Sequence, residues 1–215
     1  MKAVNEKARR SYCKDNQAAW DEVAPIHARL NQAALIKKVA SPDYCSLHTH
    51  SLECLAKVDF KDKSVAQLCC NNGVDLLSLM NLGASAGVGF DASSKFIDLA
   101  RELSNYSPHQ AVEYIVTDIY DISTRYDQQF YLLISTVGVL SWMPNLYQFF
   151  EKAYNLLQAG GFYFIEDMHP VAMMYEEIEG AEPFQPVYSY FREEPWRDTN
   201  GLDYFTGNSY PAMAC

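Results

Sequence analysis

The chain has 215 residues and a formal net charge of −10, with 49% hydrophobic and 20% charged residues. That length suits one domain with a full core, the composition is that of a globular chain, and no apolar run is long enough to span a bilayer. Phosphate backbones are held by cations, so this excess of acid disfavours a nucleic-acid partner; the basic clusters at 7–10 and 37–38 carry no interleaved aromatics.

The first residues, MKAVNEKARRSYCKDNQ, lack the apolar centre of a signal peptide, which makes a cytoplasmic address the expectation. Residues 1–60 read as helical: Trp20, Val23, Ile26, Ala34, Leu35, Val39, Leu52 and Leu55 keep partial helical spacing, with Pro25 and Pro42 as breaks. Six cysteines show neither disulfide-scaffold nor zinc-finger spacing and read as small apolar residues. Cys45, His48 and His50 lie close enough in sequence to hold a metal. No second cluster completes a four-ligand set, so no metal is expected and the stretch reads as a polar turn before a helix.

From residue 64 the pattern changes to strands alternating with helices. Residues 64–69 (SVAQLC) form a short apolar strand and 74–82 a helix. A second strand, 87–91, precedes Ser93 and Ser94, either of which can cap a helix whose stripe is Phe96, Ile97, Leu99, Ala100 and Leu103. Strands at 112–117 and 130–135, a helix at 145–157, the stop Gly160-Gly161 and a fifth strand at 162–165 follow. Such alternation means parallel βαβ units, a sheet covered on both faces and an α/β fold.

Ligands of these sheets sit at the carboxyl ends of the strands. The first such turn is Gln67-Leu68-Cys69-Cys70-Asn71-Asn72-Gly73. It lacks the glycine-rich pattern that brings a backbone close to a pyrophosphate. S-adenosylmethionine (SAM), a nucleoside without phosphates, tolerates a more substituted loop, and Asn71 and Asn72 accept left-handed geometry or offer amides to its tail. Asp91, with Ala92 after it, ends the second strand where a carboxylate takes two ribose hydroxyls or caps the next helix. Asp118 follows the third strand, where it can accept the exocyclic amine of adenine.

The ordered set VAQLCCNNG, GVGFDAS, VTDIYDI, LLISTVGVLSW and NLLQAGGFYFIEDMHP resembles class I SAM-dependent methyltransferases over roughly residues 60–170. It is most similar to a bacterial group with a WDE-x-AP-IHA-like segment, here 20–28. The resemblance implies a Rossmann-like methyltransferase fold, a helical cover (1–60), a cofactor-binding core (61–168) and a substrate-side segment (169–215). It places Cys69, Cys70, Asn71 and Gly73 around the methionine part of SAM, Asp91 on the ribose, Asp118 and Ile119 on the adenine, and Ser135 and Thr136 beside the sulfonium, with residues 12–30 covering the cofactor. Where the family has an acid in the first strand this chain has Gln67; two loop glycines are Cys69 and Asn71, and an acid opening the fourth strand is Tyr131.

Family members also close the sheet with sixth and seventh strands. Residues 187–191 and 202–206 can be strands that take those places; otherwise a partner supplies them or the sheet ends early, and an unpaired edge invites a homodimer. The implied function is transfer of a methyl group to a small molecule, the alternative a SAM-fold protein that binds without catalysis. Methyl transfer needs alignment of the reactants rather than a covalent intermediate. If the acceptor must lose a proton, His169 is the candidate base, beside Glu166 and Asp167, or it merely orders the turn before Pro170. Trp142, Met143, Tyr175, Tyr188, Tyr190 and Trp196 can wall a substrate pocket or fill the core.

Overall fold

The computed structural model describes residues 4–175 and 185–192 together with the backbone of four two-residue strands at 197–198, 201–202, 209–210 and 213–214. Its centre is a five-stranded, all-parallel sheet of β1 (Ser64–Leu68), β2 (Ala86–Asp91), β3 (Val112–Val116), β4 (Phe130–Ser135) and β5 (Leu157–Ile165), in the order β3-β2-β1-β4-β5. The strand order reverses between β1 and β4, so the loops after these two diverge and leave a crevice at their carboxyl ends.

Both faces of the sheet are covered, which is why β1 is apolar nearly throughout. Val65 packs into a cluster with Leu76, Leu79, Ile97 and Ile134, while Ala66 and Leu68 face a second cluster with Phe90, Leu133, Phe149 and Leu156. Helices α4 (Val74–Asn81), α5 (Ser94–Ser104) and α6 (Leu146–Leu156) supply most of the covering side chains. Ser93 caps α5, its Oγ accepting from the Phe96 N–H at 3.1 Å. Gly89 lets β2, β3 and the first turn come together: a Cβ there would lie 2.7 Å from Tyr114 Cδ1 and 2.8 Å from Cys70 Sγ.

The helical first third consists of α1 (Glu6–His27), a π-helical turn (Ala28–Gln32), α2 (Ala33–Val39) and α3 (Thr49–Leu55). Three sequence expectations change. Gly160-Gly161 does not stop the helix before the fifth strand but lies inside β5, which begins at Leu157 directly after α6. Pro25 does not end α1 but lies inside it; its missing N–H and the crowding of its ring are met by a chain that stays helical and widens one turn later. Residues 187–191 are not a strand. Ser189 Oγ accepts from the Phe191 N–H and the Ser189 carbonyl from the Arg192 N–H, a hydroxyl-stabilised turn that competes with extended pairing.

Leu202 does pair, as Gly201–Leu202 antiparallel to Ser209–Tyr210, while residues 203–206 lie outside the described residues. The short strands at 197–198 and 213–214 likewise pair with each other, and neither pair joins the central sheet. Among the described residues no helix is long and apolar enough to cross a membrane.

Candidate functional site

A cavity of about 420 Å³ opens at the carboxyl ends of β1 to β4, beneath α1. Its floor is the turn after β1, and the geometry there explains how a nearly glycine-free loop bends so sharply. Cys69 (φ 56°), Asn71 (φ 50°) and Gly73 (φ 74°) are all left-handed. Of the two asparagines, then, it is Asn71 that takes this conformation, and its Oδ1 accepts from the Asn72 N–H at 2.8 Å. Gly73 has no substitute, because a Cβ would fall 2.4 Å from Tyr114 Cε1.

Asp91 ties this turn to β2. Its Oδ2 accepts from the Asn71 N–H at 2.8 Å and its Oδ1 from the Ser93 N–H at 2.9 Å. A carboxylate has about four acceptor positions, so two remain for a ligand. Burial is the larger influence and raises the Asp91 carboxyl above the usual aspartate range, against the lowering by the N–H groups of Ser93, Asn71 and Ala92. Burial also pushes the thiols of Cys69 and Cys70 well above their ordinary value, with Asp91 adding to both. These are inert apolar walls rather than nucleophiles.

At the next strand end, Asp118 Oδ1 accepts from the Tyr120 N–H at 3.1 Å. Beyond β4, Thr136 accepts from Gln67 Nε2 at 3.1 Å and donates to Asp75 Oδ2 at 2.7 Å. Gln67 Oε1 is buried without a hydrogen-bond partner and belongs to a residue that lines the cavity. An enclosed acceptor left open in this way is costly unless something donates to it.

The sequence-predicted residues Cys69, Cys70, Asn71, Asp91, Ala92, Asp118, Ile119 and Thr136 all line this one cavity. Gly73 and Ser135 lie just outside the lining. Ser135 is fully buried, its Oγ 2.7 Å from Tyr163 Oη and 3.4 Å from the Leu68 carbonyl. His169 is exposed beyond β5, its Nδ1 accepting from the Val171 N–H at 3.2 Å, and does not line the cavity. Trp142 and Met143 line it; Tyr175, Tyr188 and Tyr190 do not, and Trp196 lies outside the described residues.

The segment 12–30, expected as a cover over the cofactor, and one residue of α4 that motif reading had not singled out complete the walls. From α1 come Cys13, Asn16, Gln17, Trp20 and His27, and from α4 comes Asp75. Trp20 stands edge-on to both Phe96 and Trp142, at 5.9 and 5.3 Å between ring centroids. Asn16 Nδ2 donates to the Trp142 carbonyl at 3.2 Å, and Asp21 Oδ1 accepts from Ser93 Oγ at 2.6 Å. Asp167 lies behind the wall and takes the N–H groups of Gly138 and Leu140, at 2.9 and 2.7 Å, holding the loop after β4 in place. The signals for the α1 residues were the resemblance, which gives residues 12–30 as a cover, and the tryptophan-containing segment at 20–28; Asp167 was visible only as a neighbour of His169.

Residues 65–161 match a family described as a methyltransferase domain. No curated protein sequence matches the chain. Among solved structures it is similar to a Listeria monocytogenes protein assigned as a SAM-dependent methyltransferase (21% identity, 76% of each chain, TM-score 0.57). It is also similar to a SAM-dependent methyltransferase from Mesorhizobium loti (19%, 74% of this chain and 62% of that one, TM-score 0.50). A third is Haemonchus contortus phosphoethanolamine N-methyltransferase 1 with phosphoethanolamine and S-adenosylhomocysteine (15%, 86% and 37%, TM-score 0.55). The chain thus spans less than two thirds of the Mesorhizobium and Haemonchus proteins.

Proposed function

We propose, from the premise that residues 65–161 form a methyltransferase domain within the fold of the SAM-dependent methyltransferases, that this chain uses SAM to methylate a small molecule. The observation that carries the reading is the chemistry of the cavity wall. Asp75, Asp91 and Asp118 line it, and among the described residues no lysine or arginine does. A phosphate-bearing cofactor would meet three carboxylates and no cation, whereas SAM brings a sulfonium, an ammonium, two ribose hydroxyls and an exocyclic amine. Each of these seeks an acceptor or a negative field.

The residues present fit the group. Asp91 retains acceptor positions for the ribose, Asp118 for the amine, and the buried Gln67 Oε1 remains open to an ammonium donor. The cavity volume lies within the range of small-molecule sites. Bound there, SAM would supply an electrophilic methyl group.

The chain's own contribution is alignment and the exclusion of water. Trp20, Phe96 and Trp142 give the cavity an apolar wall, Asn16 holds α1 to the loop after β4, and Asp167 fixes that loop from behind. Orienting two reactants in such an enclosure can supply about 7–11 kcal/mol in favourable cases. A cavity of this size supports a small acceptor rather than a polymer.

Calorimetry with S-adenosylhomocysteine, SAM and NAD tests the reading. Binding of both sulfur nucleosides and none of NAD is expected; absence of binding by either sulfur nucleoside at millimolar concentration overturns it.

A further inference from the structure

Arg9 is the only lysine or arginine buried among the described residues, at 3% exposure. It projects from the first turns of α1, and three groups surround its guanidinium. Glu6 takes two of its donors, from Nε at 3.0 Å and Nη2 at 2.6 Å. The ring of Tyr120 lies under it, 4.3 Å from the guanidinium carbon. The remaining nitrogen, Nη1, is buried with no hydrogen-bond partner and stands 3.8 Å from Asp118 Oδ2. Arg9 itself does not line the cavity, but Asp118 and Tyr120 do.

Enclosing a guanidinium is expensive unless its charge is answered. Glu6, held down to about 2 chiefly by its hydrogen bond to Arg9, answers part of it. The nitrogen that Glu6 leaves unanswered stands beside Asp118, the carboxylate that the SAM reading gives to the purine amine. Asp118 has its other oxygen on the Tyr120 N–H, so the backbone holds one carboxylate oxygen while the charge of Arg9 draws the other.

We infer that Arg9 is a positioning residue that acts through Asp118, orienting it so that the site favours a 6-amino purine over a 6-oxo one. This rests on the SAM reading above. A carboxylate oxygen aimed at the ring accepts from an amine and repels a carbonyl oxygen; without the neighbouring cation it is free to turn away and lose that discrimination. The cover thereby does more than shield the cofactor: its first turns help select the base.

The test compares, by calorimetry, binding of S-adenosylhomocysteine and S-inosylhomocysteine, which carry an amine and a carbonyl respectively at that ring position, the second also bearing a hydrogen on the adjacent ring nitrogen. The parent should favour the adenosine compound by about tenfold or more. In Arg9→Met the preference should shrink to within about threefold, as in Asp118→Asn, and Arg9→Lys, which keeps the charge but not the planar fork, should fall between. A purely structural role would weaken both ligands alike. If Arg9→Met, or Arg9→Lys should the former not fold, keeps the parental ratio, the inference is wrong while the SAM reading stands. If the parent binds neither ligand, both fall together.

Discussion

Asp91 is a carboxylate used three ways at once. It closes the turn after β1 through the Asn71 N–H, starts α5 through the Ser93 N–H, and keeps acceptor positions toward the cavity. Burial raises its carboxyl above the ordinary range. With the folded value above the unfolded one, its contribution to stability is full below the unfolded value and is lost as pH rises through the folded one. Ligand binding runs the other way, because hydroxyl donors need the ionised form. Affinity for S-adenosylhomocysteine should therefore fall on acidification through that raised value, before an ordinary aspartate would protonate. Calorimetry across pH should show this step in the parent. Asp91→Asn should bind about tenfold more weakly and lack the step; a flat parental profile would contradict the role.

At the same scale, Asp91 and Asp118 were legible in the sequence because each follows a recognisable strand, and strand ends are where this sheet receives ligands. Arg9, Asp75 and Asp167 were not. The contact of Arg9 with Asp118 and that of Asp167 with Gly138 depend on which distant backbone comes near, and their local sequence reads as a solvated helix start and a turn.

Among the elements, the five strands were readable because buried parallel strands are short apolar runs bounded by turn residues. Pro25 misled because its usual effect was overridden: α1 is held by Asn16 and Asp21 to the loop after β4 and to the start of α5, and tertiary contacts outweigh a local penalty. The loop between β4 and α6 depends in turn on Asp167, which accepts from Gly138, Leu140 and Met168 at 2.9, 2.7 and 2.7 Å. Asp167→Asn would set an amide donor against backbone donors, at a cost of about 1–3 kcal/mol. A thermal midpoint lower by about 3–10 °C is expected, along with weaker binding of S-adenosylhomocysteine; an unchanged midpoint would mean that the loop is held by other means.

For the molecule as a whole, the cavity is a joint between parts of the chain remote in sequence. Asn16 reaches Trp142 across 126 residues and Asp21 reaches Ser93 across 72. Separations of that size leave no trace in local patterning, which is why the fold was legible but the seating of its cover was not. A ligand in the joint touches both sides and stabilises the folded state as a unit. At one hundred times its dissociation constant, S-adenosylhomocysteine should add about 2.7 kcal/mol, or on the order of 5–10 °C in a thermal melt, and NAD should add nothing. A melt that NAD raises and S-adenosylhomocysteine does not would reverse the choice of cofactor.

The π-helical turn at Ala28–Gln32 has an effect on this seating. His27 faces the cavity, and an ordinary helix would present Asn31 four residues on; instead Gln32, five residues on, is buried, donating to the Leu99 carbonyl and to Glu102 at 3.2 and 3.1 Å. One extra residue in the coil rotates the inward meridian by about 100°. A single unbroken rod thus serves two hosts, its leading half turned to the ligand's roof and its trailing half clamped along the flank of α5.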